Sequence, residues 1–336
     1  MDSINTCGGT VRVLGRLAVC ALCIMTAWSG IAAAQTYPSK PVHIVVPFAP
    51  GGITDILARA LAQRLTESLG QQVVVENKPG ATGQVGAEAV AKAAPDGYTL
   101  LVAADAIFVT NPHFYSRLAF DALNDFAPIT ALGISPQALI VNPALPVRTL
   151  DDLIALARKQ PGEINYGTFG IGSSGHLNIV LLGEMTGTRF TPVHYRGAAP
   201  AITDVIGGHI QMMIVSIGLI AQPWQSGQLR VLGFGSPARL PQYPDVPTLA
   251  ESGLPGYEAG SSWYGLAAPK GTPADIINLI NAQTRRIFDE PSFREQFLAP
   301  NFIFSIVSPP DVFAERIRAE STKWGKLIRD TGLKIE

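Results

Sequence analysis

Cysteine is nearly absent from this chain: Cys7, Cys20 and Cys23 are its only three, and all lie within the first 34 of 336 residues. Beyond them no disulfide, Cys-ligated metal or thiolate nucleophile can be built. Charge is scarce too, at 15% of residues, with 25 basic against 26 acidic and no Lys/Arg-rich run. That balance lacks the electrostatic footprint of a nucleic-acid binder. After the N-terminus no apolar run reaches membrane-spanning length. The five histidines, His43, His113, His176, His194 and His209, show neither H-x-x-x-H nor H-E-x-x-H spacing, so no metal or other cofactor is expected. What is abundant is apolar material, 47% of the chain, enough for one or two sizeable cores.

The N-terminus follows a three-part order. Arg12 and Arg16 supply positive charge, residues 17–28 are apolar and uncharged, and Ala32, Ala33 and Ala34 form a small-residue site before Gln35. This is the pattern of a secretory signal peptide over residues 1–34, cleaved near Ala34. The apolar core is short for a retained anchor. Cys20 follows Val19 and Cys23 follows Leu22, which disfavours a lipoprotein site.

From there, short apolar runs alternate with helical periodicity. Strands are expected at 42–46, 73–76, 98–103, 138–142, 164–167, 191–195, 210–215, 229–234 and 262–268. A helix from Ile53, with Leu57, Leu61, Leu65 and Leu69 on one face, closes at Gly70, and an alanine-rich helix runs to Ala94. Thr149 and Asp152 form a capping-box variant, Pro200 sits in the first turn of a further helix, and Pro273 and Pro309-Pro310 precede the C-terminal helices. Residues 235–260, with five prolines, read as irregular surface chain. Strands joined through helices imply α/β architecture with mostly parallel sheets. Length and element count suit two domains, exchanging near 136 and 262.

Two loops could carry chemistry. In PFAPGGITD a buried strand passes through Gly51-Gly52 into a helix, leaving free N–H groups at the helix's positive end. Asp55 in the first turn suits the helix dipole. The same residues also fit an ordinary strand–helix turn. In YGTFGIGSSGHL, Ser173 or Ser174 is positioned as N-cap, and residues 170–175 match G-x-G-x-x-G. The dinucleotide fingerprint needs an acid after the next strand, yet that strand ends His194-Tyr195-Arg196. No G-x-S-x-G elbow exists, and His176 reads best as a neutral capping or packing group. Neither 47–58 nor 166–187 contains Lys or Arg. An anion held there would be held by backbone N–H, hydroxyls and helix dipoles, so the glycines should matter more than Arg59.

Seven segments in order then carry a resemblance: PVHIVVPFAPGGITDILAR, VENKPGATGQVGAEAVAKAAPDGYTLL, NPHFYSRLAFDALNDFAPIT, YGTFGIGSSGHL, VHYRGAAPAITDVIGGHI, PDVPTLAESGLPGYE and SSWYGLAAPKGTP. From Tyr37 to about Leu333 the chain resembles the substrate-binding proteins of tripartite tricarboxylate transporters, the Bug/TctC type. The resemblance implies a two-domain type II periplasmic-binding-protein fold: residues 35–136 plus 262–336 as one domain, 137–261 as the other, each a mostly parallel sheet flanked by helices. It implies a monomer located in the periplasm, catalysing nothing, that holds a small organic carboxylate in the cleft between domains and delivers it to the transporter's membrane components. The ligand-binding positions it implies are Phe48, Ala49, Pro50, Gly51, Gly52 and Asp55; Ala104 and Asp105; Thr168, Gly170, Gly172, Ser173, Ser174 and His176; and Tyr195, Gly197, Ala198, Ala199 and Asp204. Two departures from the family's pattern are Gln211, where an acid is common, and Asp105, where small polar residues are usual. A ligand sensor for a signalling partner would use the same cleft closure. A secreted α/β enzyme acting on small acids is disfavoured by the missing nucleophile elbow and cofactor code.

For Asp105 three readings compete. It points away and caps a local turn, as aspartate does readily, it is protonated, or it meets the ligand and selects one carrying a positive or N–H group.

Overall fold

The computed structural model describes residues 37–115, 118–257 and 261–331. The signal-peptide reading of residues 1–34 lies outside them. Within Lys40–Glu336, a single compact unit, the first element is β1 (Val42–Val46), buried except at His43. A Gly-Gly turn leads into α1 (Ile53–Leu69), which buries Leu57, Ala58, Leu61 and Leu65 and stops where Gly70 takes a left-handed φ of 67°. Then come β2 (Val73–Asn77), α2 (Gln84–Ala91), β3 (Thr99–Ala104) and a helical stretch over 106–114. The long β4 (Phe126–Val141) follows.

Next are α3 (Leu150–Lys159), with its Thr149/Asp152 capping box complete, β5 (Asn165–Thr168), and α4 (Ser174–Thr186) capped by Ser173. The chain continues through β6 (Thr191–His194), α5 (Ala198–Ile206), β7 (Met212–Ser216), α6 (Ile217–Gln225) and β8 (Arg230–Phe234). After the irregular proline-bearing segment come β9 (Ser261–Pro269), α7 (Ala274–Asp289), short helical turns over 291–301, β10 (Phe304–Ser305) and α8 (Pro310–Thr331).

The sheet runs β2-β1-β3-β9-β4-β7-β5-β6, with β8 and β10 pairing on β4. The ends are parallel, as expected: β2, β1 and β3 at one end, β7, β5 and β6 at the other. The middle is antiparallel, because β9 pairs with both β3 and β4, and β4 pairs with β7. β4 therefore belongs to both halves and changes partner between Pro136, opposite Ser261, and Gln137, opposite Ser216.

Several elements differ from the sequence reading, among them the unexpected helical stretch over 106–114 and the short β10. β4 begins twelve residues before the expected Ala138. Pro128, Gly133 and Pro136 disguise it, and the register against β9 shifts beside the first two. The helix expected to reach Ala94 ends at Ala91. The helix α6 was not expected, because Gly218 and Pro223 break its pattern; a Cβ at Gly218 would overlap the Asn301 backbone.

Behind β9 the core is aromatic. Phe108, Trp263 and Phe313 pack with ring centroids 5.6–6.0 Å apart, and Gly265 leaves room for the Phe313 ring. Replacing Gly265 by Ala drives a methyl into that ring. The expected loss is about 2–3 kcal/mol, measured as a lower urea midpoint at unchanged slope.

Candidate functional site

The β1–α1 loop is shaped by Asp55. Its carboxylate accepts from the Gly51 N–H at 3.0 Å, from Asn77 Nδ2 at 2.9 Å and from Arg59 Nε at 3.1 Å. Asn77 also holds the Phe48 carbonyl, at 3.1 Å. Burial pushes the Asp55 pKa up, but the donors from Arg59, Gly51 and Asn77 outweigh it and leave it below the ordinary carboxylate value. Asp55 thus turns the loop, with Gly51 at φ 86°, and Arg59 braces it from the partly exposed side. Arg59 has a structural task that its distance from the loop in sequence did not reveal.

Beside this loop lies a small, partly open cavity with about 40 Å³ of room for the centres of water-sized molecules. Phe48, Ala49, Gly52, Ile53 and Thr54 line one side, Gly197 and Ala198 another; Ala104, Phe169, Val215, Ser216, Leu219, Ser262 and Tyr264 complete it. None of these residues is acidic or basic. Three helices begin here: α1 after Gly52, α5 after Gly197 and α6 after Ser216, and none of the three N-caps has a side-chain hydrogen bond among the described residues. Their first N–H groups and dipoles give the cavity a positive potential without a formal charge.

Of the expected positions, Phe48, Ala49, Gly52, Ala104, Gly197 and Ala198 line the cavity. Gly51 stands at its edge, its Cα side facing Ala199 across the cleft; Pro50 is the exposed residue before it. Beside them the two loops touch: Ala49 N–H donates to the Arg196 carbonyl at 3.2 Å. Tyr195 and Asp204 bind each other at 2.6 Å, and burial followed by the Asp204 carboxylate raises the Tyr195 pKa to about 12.

The 168–174 loop reaches the cavity through Phe169. Three of its N–H donors are engaged locally: Gly170 with Thr168 Oγ1, Gly172 with His176 Nδ1, and Ser173 with the Gly170 carbonyl. Ser174 Oγ accepts from Gln137 Nε2 at 2.9 Å. The loop instead closes on the opposite half, where Thr110 Oγ1 donates to the Gly172 carbonyl and Tyr115 Oη to the Ile171 carbonyl, at 3.1 and 3.3 Å. His176 is the neutral capping group that the sequence suggested: its Nδ1 accepts, and burial, with His194 near it, lowers its pKa to about 4.

Asp105 is turned away from the cavity. Its carboxylate accepts from Ala106 N–H, Trp263 N–H and Ser262 Oγ, and lines a separate chamber behind β9 with Arg316, Glu320 and Lys323. Sequence reading missed Thr54, Ser216, Ser262 and Tyr264. The hydroxyls on β9 lie far away in sequence, and Ser216 marks the start of a helix whose pattern is hidden.

Residues 57–333 match the model of the Tripartite tricarboxylate transporter family receptor. The chain belongs to that family. It is 38% identical to Protein BugT of Bordetella pertussis, over 95% of this chain and 98% of that one. An R. palustris protein solved with adipate superposes with a TM-score of 0.85 at 34% identity, covering 89% of this chain and 99% of the other. MatC from Rhodopseudomonas palustris, with bound malate, gives 0.82 at 30%, covering 87% and 100%. Periplasmic binding proteins are among the solved structures of this fold, and the family's members are receptors for solutes.

His176 yields a stability prediction. An unfolded histidine binds its proton near pH 6.5, whereas folded His176 resists until about pH 4. The stabilisation from keeping it neutral is complete above 6.5 and is lost as pH falls toward 4, by up to about 3 kcal/mol. His176→Asn keeps an acceptor for Gly172 and removes the titration. Its urea stability should therefore decline less than the wild type's between pH 7 and 4.5.

Proposed function

We propose that this receptor captures a small carboxylate-bearing organic anion in the cavity and delivers it to the membrane components of a tripartite tricarboxylate transporter. The observation that carries the reading is the meeting of three side-chain-uncapped helix N-termini with hydroxyls in a cavity without acidic or basic lining. Such a site favours an anion through fixed N–H dipoles. The adipate- and malate-bound relatives support the same ligand class.

The ligand contacts we assign are Phe48, Ala49, Gly52, Thr54, Gly197, Ala198, Ser216 and Ser262, with Pro50, Gly51 and Ala199 shaping the rim. Asp55, Asp204 and Tyr195 position the loops. Thr168, Gly170, Gly172, Ser173, Ser174 and His176 form the latch that closes over the ligand. Two lobes exchange near 136 and 262, where β4 changes partner, and hinge there. The protein works as a monomer in the periplasm, its first 34 residues removed on export, and turns nothing over.

Calorimetric titration against mono-, di- and tricarboxylates tests this. At least one acid should bind one-to-one at micromolar or tighter Kd and be recovered unchanged. Gly51→Val, which forces a branched side chain onto a φ of 86° at the rim, should weaken binding at least a hundredfold. Arg59→Ala should weaken it less, by about three- to tenfold, through a loosened Asp55. Steady conversion of the bound acid would remove the receptor reading.

A further inference from the structure

We propose that Asp105 selects the polar group a ligand must carry, acting through Ser262: the carboxylate takes the Ser262 proton, so Ser262 offers the cavity lone pairs and favours a hydroxyl- or amino-substituted acid over the plain acid of equal length. The inference rests on the organic-anion reading of the cavity and narrows its substrate class.

Ser262 Oγ donates to Asp105 Oδ1 at 3.2 Å. Backbone N–H groups hold the carboxylate in place, Ala106 at 2.8 Å and Trp263 at 3.3 Å. An ionised carboxylate only accepts, and a serine has one proton, so Ser262 can only accept from the cavity it lines. Tyr264, two residues along β9 on the same face, lies 3.2 Å from Ser216 Oγ and lines the same cavity. The cavity acquires two unlike walls: N–H donors at the helix starts and the lone pairs of Ser262. A ligand carboxylate belongs at the first wall and a ligand O–H or N–H at the second.

The groups facing Asp105 are Glu320, Arg316 and Lys323 of α8 and Tyr264 of β9. Glu320 is engaged by Arg316 at 2.9 Å and by the Trp263 indole. Burial and then the Glu320 charge lift the Asp105 pKa to about 7. Once protonated, Asp105 can donate to Ser262, Ser262 can turn its own proton to the cavity, and the discrimination fades.

The test is titration calorimetry with two probe pairs, malate against succinate and 2-hydroxyadipate against adipate, using the protein expressed with its own N-terminal segment. At pH 8 the hydroxy acid of the pair that binds should bind about tenfold tighter. Asp105→Asn should bring the ratio within twofold of one while plain-acid affinity holds or improves. Ser262→Ala, with Asp105 intact, should collapse the ratio alike, and serves if the first variant melts early. At pH 5.5 the wild-type ratio should shrink while both variants stay flat, a change that a merely structural role for Asp105 would not produce. A wild-type ratio at or below one, or a ratio unmoved by Ser262→Ala, overturns the inference and leaves the anion reading standing. Binding of none of the four acids, nor of any other carboxylate, overturns both.

Discussion

The antiparallel pairing of β4 with β9 is the constraint on which the rest depends. These two strands lie at the centre of the sheet, and each serves both ends: β9 carries Ser262 and Tyr264 into the cavity, and β4 passes from β9 to β7 at Pro136 and Gln137. Every parallel strand is hung outward from this pair. The starts of α1, α5 and α6 converge because each helix follows the carboxyl end of a strand directed toward the centre, where open α/β sheets place their ligands.

Within that frame the energetics divide between apolar and polar work. Stability resides in fully buried runs such as Ile44, Leu57, Leu61 and Leu100, and in the aromatic packing of Phe108 and Phe313. Burial of a side chain of this kind contributes about 1.5–3 kcal/mol. The loops around the cavity are shaped by small polar braces instead. Asp55 holds Gly51, His176 holds Gly172, and Asp204 holds Tyr195. Each brace satisfies a polar group of a loop beside the cavity.

Much of this was legible from residue order. The VHIVV run, the Gly70 stop and the Thr149/Asp152 box each act through local geometry, and each stands where the pattern put it. The PFAPGG loop was visible as a strand passing into an uncapped helix. What was hidden is non-local. The first half of β4 is held by β9 more than a hundred residues away, and prolines mask its alternation. Ser262 and Ser216 reach the same cavity from strands that meet only in the folded sheet. Asp105 drew notice as an unusual residue, but the direction of its side chain depends on Trp263 and Ser262, which no local window contains.

The absence of any basic side chain from the cavity has an electrical consequence. Helix dipoles attract an anion but cancel none of its charge, so a molecule that closes over one carries that charge in full. With 25 basic and 26 acidic residues the chain itself is almost neutral. One or two added negative charges would then be a large fraction of its net charge, and filled and empty forms would migrate differently in an electric field. A partner sensitive to surface potential could count occupancy without touching the ligand.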